Sequence, residues 1–237
     1  MPTLRESSPS PASRADSFSR LLPADADYPG EVILAVDTSL GSAVALIDAD
    51  GRSRAETGTA DPLGHAEVIG DLLHEVVAAA TGTEITHVVT GMGPGPFTGL
   101  RIGIAAGRAF ALGRAIPVLA VPSHFAAALS ALDDGVEGRF AIVTDARRRE
   151  VAITVFDGLD ADGIPRIVAD TLLVPAVDAD QHLGDVPRID VSALSGVSLA
   201  RVGARASAAG RTLADGEPLY LRSPDVEMPG APKRVGL

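Results

Sequence analysis

Residues 91–107, GMGPGPFTGLRIGIAAG, decide the fold prediction because they join a strand to a helix through a turn rich in glycine and proline. Residues 87–90 before the turn predict the strand, and residues 100 to about 114 predict the helix. A glycine-rich turn at a helix N-terminus suits an anion, because the first helical N–H groups have no intrahelical partner. A tight connection that binds nothing is the simpler interpretation, and the residues alone leave both open.

Small residues recur every four positions along this helix, at Gly99, Gly103, Gly107 and Ala111. A glycine inside a helix costs about 1 kcal/mol relative to alanine, so several of them indicate that another backbone approaches closely. That backbone belongs either to the chain's own sheet, which the spacing favours slightly, or to a partner's helix.

A second helix, predicted over residues 65–80, carries a wide apolar stripe of paired positions. The stripe is wider than packing on one sheet requires, and an apolar excess on a surface helix indicates an interface. We predict that the two helices lie side by side and dock on a partner in a four-helix contact. The predicted interface residues are Val68, Ile69, Leu72, Leu73, Val76, Gly99, Gly103, Gly107 and Ala111.

Strand and helix patterns alternate along the chain, which favours the α/β class. Further strands are predicted near residues 32–36, 42–48, 51–60, 117–121, 140–144, 151–156 and 166–174, and helices near 123–132, 177–183 and 199–209. A weak boundary near Gly135 divides the chain into lobes over residues 31–135 and 136–225. Residues 1–30, rich in Ser, Pro, Ala and Asp, predict a disordered extension without a signal peptide, and residues 226–237 a flexible tail.

The 237 residues carry a net charge of −11 and include no cysteine. Binding of nucleic acid by this chain alone would require a basic patch. The one basic cluster, Arg147-Arg148-Arg149 in a predicted hairpin, is more typical of a solvated surface. The lack of cysteine excludes disulfides and thiolate metal sites, and no apolar run reaches the ~18–20 residues that span a bilayer. These features predict a cytoplasmic protein that contacts no membrane.

Six motifs in order resemble the TsaB (YeaZ) family and cover residues 32–225. They are ILAVDTS from Ile33, His65-Ala66-Glu67 followed by Leu72-Leu73, the GxGPGxFTGLRIG loop, Ile116-Pro117-Val118, DARRREV from Asp145, and PLYLRSPD from Pro218. Each motif is weak by itself, whereas the ordered set is specific. Two positions depart from the pattern: Pro96 stands where a small polar residue is expected, and Arg149 where glycine is common.

The resemblance implies an α/β fold of the actin-like ATPase (ASKHA) superfold, with two lobes of mixed sheets flanked by helices. It implies a non-catalytic subunit for threonylcarbamoylation of the tRNA adenosine next to the anticodon. Such a subunit binds and supports a TsaD-like catalytic subunit, works with a TsaE-like ATPase, and reaches tRNA only through the complex. A homodimer is a further expectation. Neither a cofactor nor catalytic or metal-binding residues are expected in this chain.

The residues agree with a chain that lacks chemistry of its own. The catalytic paralogues are expected to hold a metal with two histidines four residues apart, at positions occupied here by Ser123 and Ala127. His124 has no ligand partner three or four residues on and is expected to be a surface or capping residue of an alanine-rich helix. Asp37 matches an aspartate that lies near metal and phosphate in actin-like ATPases, or it caps its own turn. The alternative functions are a metallopeptidase-like glycopeptidase and an autonomous actin-like kinase.

Overall fold

The computed structural model describes residues 32–61, 64–80 and 83–222. The predictions for residues 1–30 and 226–237 lie outside these ranges. The strands are β1 Val32–Asp37, β2 Ser42–Ile47, β3 Ser53–Thr59, β4 Ile85–Gly91, β5 Val118–Val121, β6 Arg139–Asp145, β7 Glu150–Leu159, β8 Pro165–Pro175 and β9 Arg188–Val191. The helices are α1 His65–Ala78, α2 Phe97–Arg114, α3 Ser123–Asp133, α4 Ala179–Leu183 and α5 Gly196–Ala208.

The first sheet has the strand order β3-β2-β1-β4-β5, in which β1 pairs antiparallel with β2 and parallel with β4. Strand β1 is buried on both faces, which explains its continuous apolar run. Its residues Leu34 and Val36 pack in the core beneath α1 and α2, whereas Ile33 and Ala35 pack towards α3 and α5.

The second sheet has the order β8-β7-β6-β9, with β6 and β7 antiparallel and β9 parallel to β6. Its residues Phe140, Ile142 and Phe156 share the central core with α3 and α5, whereas Val143 and Ile153 pack with α4 on the other face. The layers in order are α1 with α2, the first sheet, α3 with α5, the second sheet, and α4.

Helix α5 packs on β1, β2 and β5 although it follows the second sheet in the chain. The C-terminal part of the chain therefore completes the core around the first sheet, and the boundary near residue 135 stays a prediction. None of the helices within the described ranges is long and apolar enough to cross a membrane.

Two hairpins, one in each sheet, share the turn sequence Asp-Ala-Asp-Gly. Residues 48–51 join β2 to β3, and residues 160–163 join β7 to β8. In both turns the N–H of the first aspartate donates to the carbonyl four residues on, and the glycine has a positive φ, 78° and 71°. The first aspartates pair with Arg54 and Arg211 respectively. The two sheets thus use the same turn chemistry, since only glycine adopts this φ without strain.

Candidate functional site

The glycine-rich loop and helix α2 enclose the turn Asp37–Ser39 that follows β1. A Cβ built on Gly91 would lie 1.7 Å from Asp37 Oδ2, and one built on Gly103 would lie 2.2 Å from Thr38 Oγ1. No side chain larger than hydrogen fits at either position without displacing the turn. The close approach that the glycine spacing indicates is therefore made by the chain's own β1 turn.

Thr38 inserts its hydroxyl group beside the first turns of α2. The hydroxyl donates to the carbonyl of Gly99 at 2.7 Å and accepts from the N–H of Gly103 at 3.1 Å. Further along the same helix face, a Cβ built on Gly107 would come within 2.4 Å of Thr90 Cγ2, and Ala111 is buried. These contacts hold α2 against β1 and β4.

The nine predicted interface residues therefore fall into two groups. Six are buried within the subunit, which corrects the idea that a partner's helix explains the small residues of α2: Ile69, Val76, Gly99, Gly103, Gly107 and Ala111. The other three are half-buried on α1, namely Val68, Leu72 and Leu73. Helices α1 and α2 lie side by side, as predicted, and the contact of this pair with a partner stays a prediction.

Two helical glycines, Gly70 and Gly113, have no internal neighbour. A Cβ built on either would meet no atom of the described residues within 4 Å, and both are exposed. Gly70 lies inside α1, where it costs about 1 kcal/mol of helix propensity without improving any packing inside the subunit. Sequence reasoning missed it because the repeated glycines of α2 gave a stronger pattern. The available signal was one glycine inside an otherwise regular helix.

Asp37 is buried and fully engaged by its surroundings. Ser39 donates to Asp37 Oδ1 from its N–H at 2.7 Å and from its hydroxyl at 2.5 Å, and the Ser123 hydroxyl donates to Oδ2 at 2.5 Å. Burial raises the pKa of the Asp37 carboxyl above its ordinary value, although these hydrogen bonds oppose the rise. The carboxyl group thus ties β1 to α3, and the geometry favours the capping interpretation of Asp37.

The two positions that match the metal-binding histidines of the paralogues have other roles in this chain. Ser123 Oγ accepts from the N–H of Gly93 at 2.9 Å while it donates to Asp37. Ala127 is buried in the core between the two sheets. Within the described ranges, no group of three or more His, Asp or Glu side chains is placed to hold a metal ion.

His124 is 1% exposed, which corrects the expectation of a surface histidine. Helix α3 lies between the two sheets, so all of residues 123–129 are buried. His124 Nδ1 lies 2.7 Å from the hydroxyl of Thr154, and Nε2 lies 2.9 Å from the hydroxyl of Thr144. Burial lowers the pKa of His124 to about 3, so the ring is neutral at neutral pH.

The buried histidine predicts a loss of stability in mild acid. The unfolded chain binds a proton at His124 below the ordinary pKa of 6.5, whereas the folded chain binds it only near pH 3. The free energy of unfolding should therefore fall as the pH drops through this window, by about 2 kcal/mol between pH 6.5 and 5. Urea unfolding of the wild type and of His124→Gln at both pH values measures this loss, which the variant should lack.

The exposed His182 supplies the matched control, since His182→Gln should keep the wild-type pH dependence. Any acid effect of the Asp37 carboxyl is common to all three proteins and cancels in the comparison. Equal pH dependence of the wild type and His124→Gln would contradict the assignment of a neutral buried ring.

The closing segment links the loop to the β6–β7 turn. The N–H of Leu219 donates to the carbonyl of Met92 at 2.7 Å. The guanidinium of Arg222 donates to the carbonyl of Arg147 at 3.0 Å and forms an ion pair with Glu150. Three of the six motifs therefore meet at one cleft between the sheets, away from the outer side of α1 and α2.

Comparisons with known proteins agree with these features. A family model described as TsaD, tRNA N6-adenosine threonylcarbamoyltransferase, matches residues 63–179. An uncharacterized Mycobacterium tuberculosis protein is 34% identical over 212 residues, which span 82% of this chain and 93% of that protein. A Mycobacterium leprae protein is 39% identical over 126 residues, 51% of this chain and 34% of that longer protein.

Two further relatives carry informative names. The Escherichia coli tRNA threonylcarbamoyladenosine biosynthesis protein TsaB is 31% identical over 122 residues, 50% of this chain and 52% of that protein. The solved structure of YeaZ from Pseudomonas aeruginosa superposes with a TM-score of 0.65 at 26% identity, covering 81% of this chain and all of that chain (100%).

Two mixed sheets flanked by helices, with the end of β1 enclosed by the glycine-rich loop, define an actin-like α/β protein, and this confirms the predicted fold class. Since its sequence and its structure both match named members, the chain belongs to the TsaB (YeaZ) family.

Proposed function

We propose that the chain is a non-catalytic subunit required for threonylcarbamoylation of the tRNA adenosine next to the anticodon, the formation of N6-threonylcarbamoyladenosine. It acts by binding and supporting a TsaD-like catalytic subunit. Membership of the TsaB family supports the pathway. The location of the docking surface is inferred from Gly70, an exposed glycine inside α1.

The docking surface is the outer helix face, formed by the exposed residues of α1 and α2. A packed partner helix comes within 8–10 Å of the helix axis, at a distance set by the side chains between them. Gly70 and the exposed alanines Ala66, Ala105 and Ala109 have small side chains, so a partner helix can approach this face closely. Leu112 is 83% exposed, so a docked helix would bury its apolar side chain. On α1, Val68 is half-buried, whereas Leu72 and Leu73 pack in part against the subunit's own core.

Charge divides the outer helix face into two halves. Helix α1 presents the exposed carboxylates of Glu67, Asp71 and Glu75, and α2 the exposed guanidinium group of Arg108. A partner with the opposite arrangement is favoured, because opposite charges steer association and like charges suppress wrong partners. A second copy of this chain also presents that arrangement when its helices are antiparallel. A homodimer and the complex with a TsaD-like subunit would then compete for one face.

A supporting role, without catalysis, suits the way the polar groups are engaged. Asp37 and Ser123 bond to each other, and His124 bonds to two threonines. Each group thus holds the fold together and is not presented to a substrate. A metallopeptidase-like protein or an autonomous kinase would need such groups free in a cleft.

Reconstitution tests the proposed function. The purified chain, TsaD-like and TsaE-like proteins and the enzyme that makes threonylcarbamoyl-AMP are mixed with tRNA, and the modified nucleoside is measured. Omission of this chain should lower product formation by about ten-fold or more, and the chain alone should form none. Full product formation without the chain, or product formation by the chain alone, would refute the proposal.

The remaining parts of the proposal concern place and partners. With a net charge of −11, the subunit leaves most of the tRNA contact to other members of the complex, including the TsaD-like subunit. We place the complex in the cytoplasm, with a TsaE-like ATPase as a further member. The reconstitution described above also tests the ATPase, through its separate omission.

A further inference from the structure

The cleft between the sheets is separate from the proposed docking surface, although three of the six sequence motifs meet in it. Its cavity has a volume of about 250 Å³. The walls come from residues 94–97 of the glycine-rich loop, residues 144–147 at the β6–β7 turn, and residues 219–222 of the closing segment. This volume approaches the lower end of the 300–1,000 Å³ typical of small-molecule pockets.

Two aromatic rings form one side of the cleft. The ring centroids of Phe97 and Tyr220 lie 4.6 Å apart, and the two residues are 40% and 38% exposed. Arg101 lies 3.6 Å from the Phe97 centroid, and its Nε donates to the Tyr220 hydroxyl at 2.9 Å. The rings are therefore held in place by a cation while part of their surface faces solvent, an arrangement that suits contact with a flat ligand group.

Positive charge concentrates around the same cleft. Two arginines, Arg147 and Arg222, and one acid, Asp145, line the cavity, and Arg222 is paired with Glu150 beside it. The ion pair of Arg147 with Asp145 is 3.7 Å long, and both side chains are more than half exposed, so this pair is weak. A local excess of guanidinium groups in a chain with a net charge of −11 favours an anionic ligand.

The backbone of the β6–β7 turn is strained where it presents these arginines. Residues 147–149 have φ values of 66°, 53° and 63°, the left-handed region that glycine adopts most readily. Each such residue costs about 1–2 kcal/mol relative to its right-handed form. Strain of this kind clusters at ligand-binding sites, where the surrounding structure maintains it. The turn is anchored from within, because Thr144 beside it is held by His124.

We propose that this cleft binds a small anion that carries a flat ring. The ring lies against Phe97 and Tyr220, and the anionic group, a phosphate or a carboxylate, pairs with Arg147. The site belongs to the isolated subunit, so its occupancy does not depend on the proposed role in tRNA modification. Loss of ligand binding in the cleft therefore does not imply loss of the role in tRNA modification, and the reverse also holds.

Calorimetry and tyrosine fluorescence test the site on the full chain. The chain has two tyrosines, Tyr28 and Tyr220, and no tryptophan, so Tyr28→Phe leaves Tyr220 as the sole fluorescent reporter in the cleft. The probes are phenyl phosphate, phenylacetate, benzyl alcohol and inorganic phosphate. At least one ring anion should bind about ten-fold more tightly than benzyl alcohol and inorganic phosphate, and should change the Tyr220 emission. The stronger of phenyl phosphate and phenylacetate identifies the anionic group.

Matched arginine variants locate the binding. Arg147→Gln should weaken binding of the better ring anion by about ten-fold. The control Arg166→Gln removes an exposed arginine that is paired with Asp157 on another hairpin, and it should change this affinity less than about two-fold. Three results would overturn the proposal: absence of ring-anion binding up to about 10 mM, equal affinity for inorganic phosphate, or equal effects of the two variants. Binding of an RNA oligonucleotide without binding of either ring anion would also overturn it.

Discussion

Gly103→Ala should destabilise the chain by about 3 kcal/mol, although it adds a single methyl group and improves helix propensity. The methyl carbon would lie 2.2 Å from Thr38 Oγ1 and 2.9 Å from Thr38 Cγ2. Thr38 is 1% exposed and bonded to Gly99, so it cannot rotate away without losing a buried hydrogen bond. Urea unfolding followed by circular dichroism measures the change in the free energy of unfolding.

The same helix provides the control for this prediction. Gly113→Ala makes the same chemical change where the added Cβ meets no described atom within 4 Å, so it should stabilise the chain by up to ~1 kcal/mol. The double variant Gly103→Ala, Thr38→Ala should lose at least about 1 kcal/mol less stability than the sum of the two single losses, because the two residues are in contact. Equal effects of the two glycine variants would mean that the β1 turn does not fill the space beside Gly103.

Local periodicity predicted most elements of the fold. The run Val32–Val36 is buried on both faces and reads as a strand without ambiguity. The apolar positions of α1 recur with the helical period. By contrast, β9 was not predicted, because its four residues alternate between exposed and half-buried at a sheet edge. Helix α2 begins at Phe97, three residues before the predicted start, and Pro96 occupies the N-cap position in an extended conformation.

The neighbours of each site residue could not be predicted from the chain. The spacing of Gly103 and Gly107 indicated a close neighbour, but only the fold shows that it is the side chain of Thr38 after β1 for Gly103 and that of Thr90 in β4 for Gly107. His124 was placed at the surface because an alanine-rich helix has no polar face to orient it. Its burial follows from the position of α3 between two sheets.

Both departures from the family pattern have physical consequences that the sequence alone did not show. Pro96 has φ −60° and ψ 133° at the N-cap of α2, where it lacks the side-chain oxygen that caps a helix. Arg149 has φ 63°, which explains why glycine is common there. The first change removes a stabilising hydrogen bond, and the second adds backbone strain beside the cleft.

Gly70→Leu should abolish binding of the TsaD-like subunit while the chain itself becomes no less stable. A Cβ at position 70 meets no described atom within 4 Å, and both alanine and leucine have a higher helix propensity than glycine. Gly70→Ala should therefore raise the free energy of unfolding by about 0.5–1 kcal/mol. The leucine side chain, however, would occupy the space that a docked helix needs at 8–10 Å between axes.

Light scattering coupled to size-exclusion chromatography measures complex formation, and urea unfolding measures the stability of each variant. Ala109→Leu on α2 should weaken assembly in the same way, because its residue is exposed on the outer helix face. Ala208→Leu adds the same side chain at an exposed position of α5 and should assemble normally. Normal assembly of both Gly70→Leu and Ala109→Leu would remove the outer helix face as the docking surface. Loss of assembly in all three variants would show a nonspecific effect of added leucine, and would leave the glycine inside α1 without a role in docking.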